Sequence, residues 1–530
     1  MVISGNVVDI LNQKIFAADV EIEGSIIKSI NPTNKKFENY IFPGFIDAHV
    51  HIESSLLIPS EFAKLAVTHG TVATVSDPHE IANVCGMGGI DFMINNSKTV
   101  PFYFFFGAPS CVPATVFETA GAEITSKQVD ELLKRDEILY LSEMMNFPGV
   151  LNNDAEVMAK IGSAKKFKKP VDGHAPGLMG EFAKKYFDAG ITTDHECFTI
   201  EEAEEKLKLG VKVLIREGSA ARNFDALIPL IDNYWQQIMF CSDDKHPDEL
   251  LVGHINKLVS SAVALGYDIF KVLRAACINP IIHYNLPVGY LQVGQNADFI
   301  VVNNLTDFVV LQTYIKGKCV AQNGKYLFET KEEKPINNFG IDYINESEIV
   351  FEHKPKYQVI ECIDGQLITN NLTVYEKHCT IENDILKMVV VNRYKKAKIA
   401  TAFVKNFGLK KGAIASSVAH DSHNIIAVGI NETEICNAVN LIVKHKGGLS
   451  AVNKEDKLIL PLEVAGLMSN QKAETVAQTY SQLHHYSRNQ LGSKLRAPFM
   501  SLSFMALLVI PHLKLSDKGL FNGDNFTFTN

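Results

Sequence analysis

Two histidines separated by one residue end an apolar stretch of the chain, Pro43-Gly44-Phe45-Ile46-Asp47-Ala48-His49-Val50-His51. Side chains two positions apart on a β-strand point to the same face of the sheet. His49 and His51 could therefore bind one metal ion from a single strand, because neutral imidazole is a common ligand of divalent transition metals. An isolated pair of this kind is also found by chance in ordinary strands, so the rest of the chain must decide between the two interpretations.

Four more residues of metal-binding type occur where short apolar stretches end, namely Glu143, His174, His195 and Asp243. Three have a local alternative: a turn position for His174, a satisfied core position for His195 and a helix N-cap for Asp243. A lone buried Glu143 would be costly without a partner, which a metal pair supplies. Together, four imidazoles and two carboxylates suit a pair of divalent ions bridged by a carboxylate. Two such ions lower the pKa of a shared water and make hydroxide available near neutral pH.

The elements that would position these residues follow a regular alternation of short apolar runs and amphipathic helical stretches. The predicted strands are 41–51, 71–77, 103–107, 138–145, 170–174, 192–195, 212–217 and 236–243. Eight strands alternating with helices over this length predict a (β/α)8 barrel. Functional side chains of such barrels lie at the C-terminal ends of the strands, so we expect the six candidate ligands to meet at one mouth.

The segments that flank the predicted barrel differ from it in pattern. Residues 1–40 and 286–330 carry short strands separated by Gly and Asn, as expected for one small composite β domain. The predicted fold class is α/β, with a metal-dependent TIM barrel (41–285) inserted in this small β-sandwich-like domain. Residues 331–347 form a polar linker, and residues 348–530 alternate between strands and helices, which predicts a C-terminal α+β domain.

Composition narrows the classes of function. The net charge of -9 argues against general binding to nucleic acid or to membrane surfaces, which favour basic patches. The first residues show no basic region followed by an apolar run, so no signal peptide is expected. The nine cysteines include no CxxC pair. These features favour a cytoplasmic protein with reduced thiols, including Cys197 and Cys241 near the candidate ligands.

The ligand motif, the split flanking sheet and several longer motifs make the chain similar to the amidohydrolase superfamily. Within that superfamily the sequence resembles the adenine deaminases over nearly its whole length. The motifs are Ser76-Asp77-Pro78-His79-Glu80, Ser142-Glu143-Met144-Met145-Asn146, Gly173-His174-Ala175-Pro176-Gly177, Cys241-Ser242-Asp243-Asp244, Ala419-His420-Asp421-Ser422-His423-Asn424 and Ala465-Gly466-Leu467-Met468-Ser469. Strand four offers Glu143 and no lysine, which argues against enzymes of the superfamily that bridge their metals with a carbamylated lysine.

The resemblance implies a hydrolase that converts adenine and water to hypoxanthine and ammonia in purine salvage. A metal-bound hydroxide would attack purine C6, as in other metal-dependent deaminations. The implied metal ligands are His49, His51, Glu143, His174, His195 and Asp243. Glu143 would bridge two divalent ions, Mn or Fe, with Zn as an alternative, and Asp243 would also accept and relay the proton. Adenine is the implied partner, and a homodimer the expected assembly.

Further residues have an expected role near the site, and for each there is also a purely structural alternative. His79 and Glu80, after strand two, are expected in substrate contact or proton transfer, the alternative being a loop ion pair. Residues after strand seven could bind the purine edge or form a solvated loop, and these are Arg216, Glu217, Ser219 and Arg222. The C-terminal residues His420, Asp421 and His423 are expected near the active site, the alternatives being an additional metal site or a structural turn.

Two other functions remain open at this point. The first is hydrolysis of another cyclic amidine or cyclic amide on the same scaffold, which an assay of ammonia release from a purine panel would distinguish. The second is a non-catalytic member kept for assembly, which would be expected to have lost metal ligands, whereas this chain keeps six.

Overall fold

The structure is a computed structural model and describes residues 1–529. Four strands precede the barrel, and they are β1 (Val2–Asp9), β2 (Lys14–Glu23), β3 (Ile26–Pro32) and β4 (Tyr40–Pro43). The predicted strand 41–51 is divided at Gly44, so its first part joins the flanking sheet and only its second part enters the barrel. A Cβ at Gly44 would lie 2.3 Å from Val72, which shows how closely the chain passes the barrel at this division.

Eight strands form the barrel, and each predicted strand has an observed counterpart, shorter in every case except 103–107, which extends by one residue. They are β5 (Phe45–Val50), β6 (Thr71–Ser76), β7 (Tyr103–Ala108), β8 (Ile138–Met144), β9 (Val171–Gly173), β10 (Thr193–Asp194), β11 (Lys212–Arg216) and β12 (Ile238–Cys241). Strands β5 to β9 pair in parallel as one sheet, and β10 to β12 as another.

Backbone hydrogen bonds join the two barrel sheets at both seams. At one seam the Thr192 amide donates to the Val171 carbonyl at 2.8 Å. At the other, the Asp243 amide donates to the His49 carbonyl at 3.0 Å, and the His51 amide donates to the Asp243 carbonyl at 3.3 Å. The second seam thus links strand one to strand eight through the residues predicted as metal ligands.

Helices surround the barrel and follow the predicted alternation. They are α1 (Pro59–Thr68), α2 (His79–Cys85), α3 (Met87–Ser97), α4 (Ser126–Leu133), α5 (Phe147–Leu151), α6 (Ala155–Lys166), α7 (Gly180–Asp188), α8 (Ile200–Lys208), α9 (Phe224–Leu227), α10 (Ile231–Tyr234), α11 (Pro247–Val252), α12 (Ile255–Ala264), α13 (Ile269–Cys277) and α14 (Asn279–Tyr284). Thr125 and Gln128 form a capping box at the start of α4. Gly70 and Gly190 follow α1 and α7 with φ of 81° and 106°, the left-handed conformation that ends many helices.

The chain then returns to the flanking sheet through four strands. These are β13 (Phe299–Val302), β14 (Val310–Ile315), β15 (Lys318–Gln322) and β16 (Lys325–Tyr326). The sheet has the order β16-β15-β14-β13-β4-β1-β2-β3. Strands from both ends of the barrel therefore form one continuous sheet, in which β13 pairs antiparallel with β4.

The C-terminal part is built on a second eight-stranded sheet, with the order β18-β17-β20-β19-β22-β21-β23-β24. Its elements are β17 (Lys356–Cys362), β18 (Thr369–Tyr375), β19 (Ile385–Val391), β20 (Ala400–Lys405), β21 (Ala413–Ser416), β22 (Ile425–Gly429), α15 (Glu432–His445), β23 (Gly448–Val452), β24 (Lys457–Pro461), α16 (Ala473–Asn489), α17 (Pro498–Phe504), β25 (Leu513–Ser516), β26 (Gly519–Asn522) and β27 (Thr527–Phe528). The predicted fold class is confirmed.

The C-terminal part is fixed firmly to the barrel. One cluster of buried apolar side chains runs through both, from Leu57 in the barrel to Met468. The Ser469 amide donates to the Leu56 carbonyl at 2.8 Å, and the buried Glu61 carboxylate of α1 accepts from the Ala473 amide at 2.9 Å. The two units are therefore packed as a continuous body across the barrel mouth. Within residues 1–529, no helix has the length and apolar character needed to cross a bilayer.

Candidate metal centre

The two histidines of the opening motif converge at the end of β5. Their Nε2 atoms lie 3.2 Å apart, and both rings are almost fully buried. Asp243, at the barrel seam, places its Oδ1 atom 3.6 Å from His49 Nε2 and 3.3 Å from His51 Nε2. Two nitrogens and one oxygen therefore face a common point, which is an arrangement suited to a divalent cation.

Glu143, at the end of β8, lies between this group and a second one. Its Oε1 atom is 3.5 Å from His51 Nε2. Its Oε2 atom is 2.9 Å from His174 Nδ1 and 3.1 Å from His195 Nε2. One carboxylate thus presents one oxygen to each histidine group, as a bridging ligand would. The structure brings together all six residues that the sequence predicted as ligands.

The charges at the centre fit a cation. Burial favours a protonated Glu143, but His174 and His195 hold the pKa of its carboxyl well below its usual range. Burial opposes protonation of His174, yet Glu196 and Glu143 raise its pKa to about 9. The carboxylates around His174 therefore favour positive charge at this position. Within residues 1–529, His49 Nδ1 and His174 Nε2 are buried without a hydrogen-bond partner. The donor set fits divalent metal ions.

A buried arginine orients Asp243. Arg216, at the end of β11, donates from Nη1 to Asp243 Oδ2 at 2.6 Å and from Nη2 to Glu196 Oε2 at 2.9 Å. Burial would raise the pKa of Asp243, but Arg216, His49 and His51 hold it well below its usual range. Because Oδ2 is occupied by the guanidinium, Oδ1 is left to face the histidines. Arg216 thus lies in the site, whereas sequence reasoning could only suggest it for the purine edge.

A second polar network joins strands one and eight behind the ligands. Asp47 accepts from the Ser242 amide at 2.9 Å, and also from the Ser242 hydroxyl. His254, at the start of α12, places Nε2 2.8 Å from Asp47 Oδ2 and Nδ1 2.7 Å from Thr71 Oγ1. All four side chains are buried. This network fixes the neighbours of His49 and Asp243, and so fixes the two ligands.

His79 and Glu80 lie at the mouth, as the sequence analysis expected. His79 Nδ1 is 3.1 Å from Asp77 Oδ2 and 3.6 Å from Glu143 Oε1. Its Nε2 atom is 3.6 Å from both Glu80 Oε1 and Asp421 Oδ1. His79 therefore connects the bridging carboxylate to a separate group of ionisable side chains that belongs partly to the C-terminal domain.

That group contains all three C-terminal residues singled out in the sequence. His420 Nδ1 and His423 Nε2 contact the two oxygens of Glu80. Burial alone would raise the pKa of Glu80, but His420, His423 and His79 hold it well below its usual range. His420 and Asp421 line the same pocket as the ligands, whereas His423 lies behind Glu80. The loop 420–424 thus closes over the mouth from the same chain.

The remaining residues suggested for the purine edge lie elsewhere. Glu217 and Arg222 line a separate groove beside the barrel mouth, where Arg222 pairs with Glu249 at 2.8 Å. The Ser219 hydroxyl donates to the same Glu249 at 3.1 Å. These three side chains therefore support the loop after β11 in this structure and do not line the pocket of the metal centre.

The pocket over the candidate metal centre is small, with a cavity volume of about 30 Å³. Sequence reasoning missed several of its lining residues. Glu196 and Asp244 adjoin predicted ligands, so their positions beside His195 and Asp243 were an available signal. The apolar residues Leu367 and Phe504 come from the C-terminal domain, and only the tertiary structure brings them here.

A barrel whose strands carry buried histidines and carboxylates at one mouth defines a metal-dependent hydrolase. The family model described as the amidohydrolase family matches residues 40–320. A second model, the adenine deaminase C-terminal domain, matches residues 366–527. These two matches cover both the barrel and the domain that closes it.

Two named relatives align with nearly the whole chain. The chain is 52% identical to an adenine deaminase of Borreliella burgdorferi over 540 aligned residues, covering 99% of this chain and 98% of that one. It is 53% identical to an adenine deaminase of Sulfurovum sp., covering 100% and 99%. A solved D-hydantoinase from Thermus sp. aligns with a TM-score of 0.47 and 15% identity, covering 62% of this chain and 96% of that one. The chain belongs to the amidohydrolase family and, within it, to the adenine deaminases.

Proposed function

We propose that this chain hydrolyses adenine to hypoxanthine and ammonia. The observation that carries the proposal is the convergence of six buried ligands, with Glu143 between two histidine groups, in a chain about half identical to named adenine deaminases. The same arrangement argues against a non-catalytic assembly protein, because no predicted ligand is displaced from the mouth.

The residues would hold two divalent ions, and Mn, Fe and Zn all accept these donors. We assign His49, His51 and Asp243 to one ion, and His174 and His195 to the other. Glu143 is assigned to both. When bound, the ions would supply Lewis acidity and lower the pKa of a bound water molecule.

Asp243 is the proposed base. Arg216 keeps its carboxylate ionised and fixes its orientation, so Oδ1 can take a proton from the attacking water. The water oxygen then bonds to C6 while the π pair of the C6–N1 bond moves to N1. That pair returns as the bond from C6 to the exocyclic amine breaks. The proton held by Asp243 passes to the departing amine, which leaves as ammonia. The chain's contribution is to hold water, C6 and carboxylate in one geometry.

We assign the polar group around Glu80 to the other edge of the purine. His79 stands between Glu143 and the pair Glu80 and Asp421, so it can carry a proton between the reacting centre and the ring nitrogens. His420 faces the pocket beside Asp421 and is assigned to substrate contact. His423 holds Glu80 in place from behind. We further propose that the protein forms a homodimer and is located in the cytoplasm. The proposed domains are the small β domain, the barrel and the C-terminal domain 348–530, with the start of the barrel moved from 41 to Phe45 because Tyr40–Pro43 pairs within the flanking sheet.

The test is anaerobic purification with metal counting, followed by an ammonia-release assay on adenine after reconstitution with each metal in turn. We expect about two metal equivalents per chain and adenine turnover that requires them. The matched variants are Glu143→Gln in the centre and Glu217→Gln in the separate groove. Turnover of a cyclic amide with adenine inert would replace this proposal with the other hydrolase function.

A further inference from the structure

The C-terminal domain carries a surface cavity that the proposed reaction does not use. Its volume is about 450 Å³, within the range of small-molecule sites, whereas the pocket over the candidate metal centre has only about 30 Å³. The segment 350–358, strand β20 and the turn between β25 and β26 supply most of its walls. The lining residues of the described chain lie within 350–403 and 517–529, so the cavity is separate from the barrel mouth.

The floor of this cavity is apolar and aromatic. The Phe403 ring packs against the Phe351 and Tyr357 rings, with 5.1 Å and 4.8 Å between centroids. Ile399 and Ala402 are buried beside Phe403 in the same lining. Aromatic side chains bind other rings through offset or edge-to-face contacts and through the large apolar area that they bury. The floor therefore fits a ligand that contains an aromatic ring.

The rim of the cavity is positively charged, although the chain as a whole has a net charge of -9. Two acidic side chains line the cavity together with four exposed lysines, and these are Glu352, Asp517, Lys354, Lys356, Lys398 and Lys518. Lys398 pairs with Glu352 at 3.3 Å, but both side chains are mostly exposed, and such pairs are weak. A phosphate group carries more charge than one carboxylate and accepts several charge-assisted hydrogen bonds. The rim therefore fits a phosphate group.

One wall of the cavity is hydrogen-bonded to the segment that supports the loop 420–424 over the metal centre. Asp517 Oδ1, in the cavity lining, accepts from the Thr119 amide at 2.9 Å. The Thr119 carbonyl in turn accepts from Asn424 Nδ2 at 2.9 Å, and Asn424 is the last residue of the loop. Two successive hydrogen bonds therefore join the cavity wall to the loop that closes the barrel mouth.

We propose that this cavity is a regulatory site for an aromatic phosphate of the nucleoside monophosphate class, and that its binding lowers turnover at the metal centre. The ring lies on the aromatic floor, and the phosphate binds the lysine rim. Lys518 donates to the Val116 carbonyl at 2.9 Å, and a phosphate replaces that carbonyl because a charged acceptor binds more strongly. The segment 116–119 then loses a contact with the cavity wall, and the loop 420–424 loses support. The effect on turnover rests on the proposed deamination, whereas the binding site does not.

The test measures AMP binding to the metal-loaded enzyme by equilibrium dialysis, and kcat for adenine with and without AMP. We expect a Kd of about 10–100 μM, ordinary for a ligand of this size. Saturating AMP should lower kcat at least about fivefold, the lower end of the usual coupling between two sites. Competition at the metal centre would raise KM and leave kcat unchanged. Adenosine and inorganic phosphate each carry half of the recognised groups, and each should bind at least about tenfold more weakly than AMP.

Three variants separate binding from its effect on turnover. The double variant Lys354→Glu and Lys398→Glu should weaken AMP binding at least about tenfold and keep the kcat measured without AMP. The matched control is Lys377→Glu and Lys396→Glu, which reverses two exposed lysines of the same domain outside the cavity lining and should bind AMP as the wild type does. Lys518→Met should still bind AMP, but its kcat should already be low without AMP and should not fall further.

The possible failures are distinguishable. No saturable AMP binding below about 1 mM, or equal binding in the wild type and the double variant, overturns the site. Binding without an effect on kcat, or an effect that Lys518→Met leaves intact, overturns the regulation. Inert adenine with the metal-loaded wild type overturns the deaminase function instead, and the dialysis experiment still tests the cavity.

Discussion

Replacing Arg216 by Met tests whether this arginine stabilises the buried carboxylates of the centre and orients Asp243. The guanidinium lies between Glu196 and Asp243, and the exposed fractions of the three side chains are 1%, 2% and 5%. Methionine has a similar volume but no charge. The substitution therefore leaves two buried carboxylates without their common partner, while the packing around them changes little.

The expected loss of stability follows from the burial of Arg216 and its two carboxylate partners. Removing one partner of a buried ion pair costs about 3–5 kcal/mol, because the remaining charge stays buried. The entropy of unfolding is about 2.1 cal/mol/K per residue, which for 530 residues gives about 1.1 kcal/mol/K. If the chain unfolds cooperatively, the midpoint temperature should fall by about 3–5 °C. Adenine kcat/KM should fall by about 100-fold, because Asp243 Oδ1 is no longer oriented.

The assay measures thermal unfolding by circular dichroism, metal content by mass spectrometry and adenine turnover. The matched control is Arg222→Met, because Arg222 also pairs with a glutamate but both side chains are 33% exposed. Exposed pairs contribute about 0–1 kcal/mol, so the control should lose at most about 1 °C and keep its activity. If Arg216→Met keeps its midpoint within 1 °C and its kcat/KM within threefold, Arg216 does not orient the base and the reasoning fails.

Three further predictions follow from other contacts. Glu143→Gln should reduce bound metal from about two equivalents to one or fewer, measured after dialysis; two retained equivalents would contradict the bridging role. His423→Ala should lower adenine kcat/KM by about 10-fold to 100-fold, because Glu80 loses a fixed partner; unchanged kinetics and metal content would remove the loop from the site. Lys514 has a folded pKa of about 7 against 10.5 in its usual range. The unfolded chain thus binds more protons between these pH values, so stability should rise with pH there, by roughly 1–4 kcal/mol more in the wild type than in Lys514→Met. The free energy of unfolding is measured by denaturant titration at pH 7 and pH 10. An equal change between these pH values in the wild type and in Lys514→Met would refute this.

The sequence predicted the barrel and its candidate ligands because both depend on local pattern. Alternating apolar runs and amphipathic helices specify strands and helices in order, and parallel strands of a barrel present their C-terminal ends at one mouth. His49 and His51 needed only the period-two geometry of a strand. Glu143 is a single carboxylate within an apolar run of sequence, so it required a charged partner. These residues were predicted, and the structure brings them together.

Other features depend on which segments meet in space, and the sequence does not contain that information locally. Arg216 ends β11 and Arg222 lies six residues later in the following loop, yet Arg216 is buried between two carboxylates and Arg222 pairs at the surface. The pattern of residues after a strand does not distinguish these environments. Likewise the division of the first predicted strand at Gly44 depends on a close contact with Val72, which lies on a neighbouring strand.

The motif that ends in His49 and His51 shows the same difference between what the local sequence predicts and what the tertiary structure decides. Its residue types and spacing determined that a metal could be bound. Only the tertiary structure decided that Asp243 joins it across the barrel seam. The fold also brings Leu367 and Phe504 over the centre from more than a hundred residues beyond the last ligand. Long-range packing sets these contacts, because apolar side chains are interchangeable in sequence patterns and acquire a specific neighbour only in the folded chain.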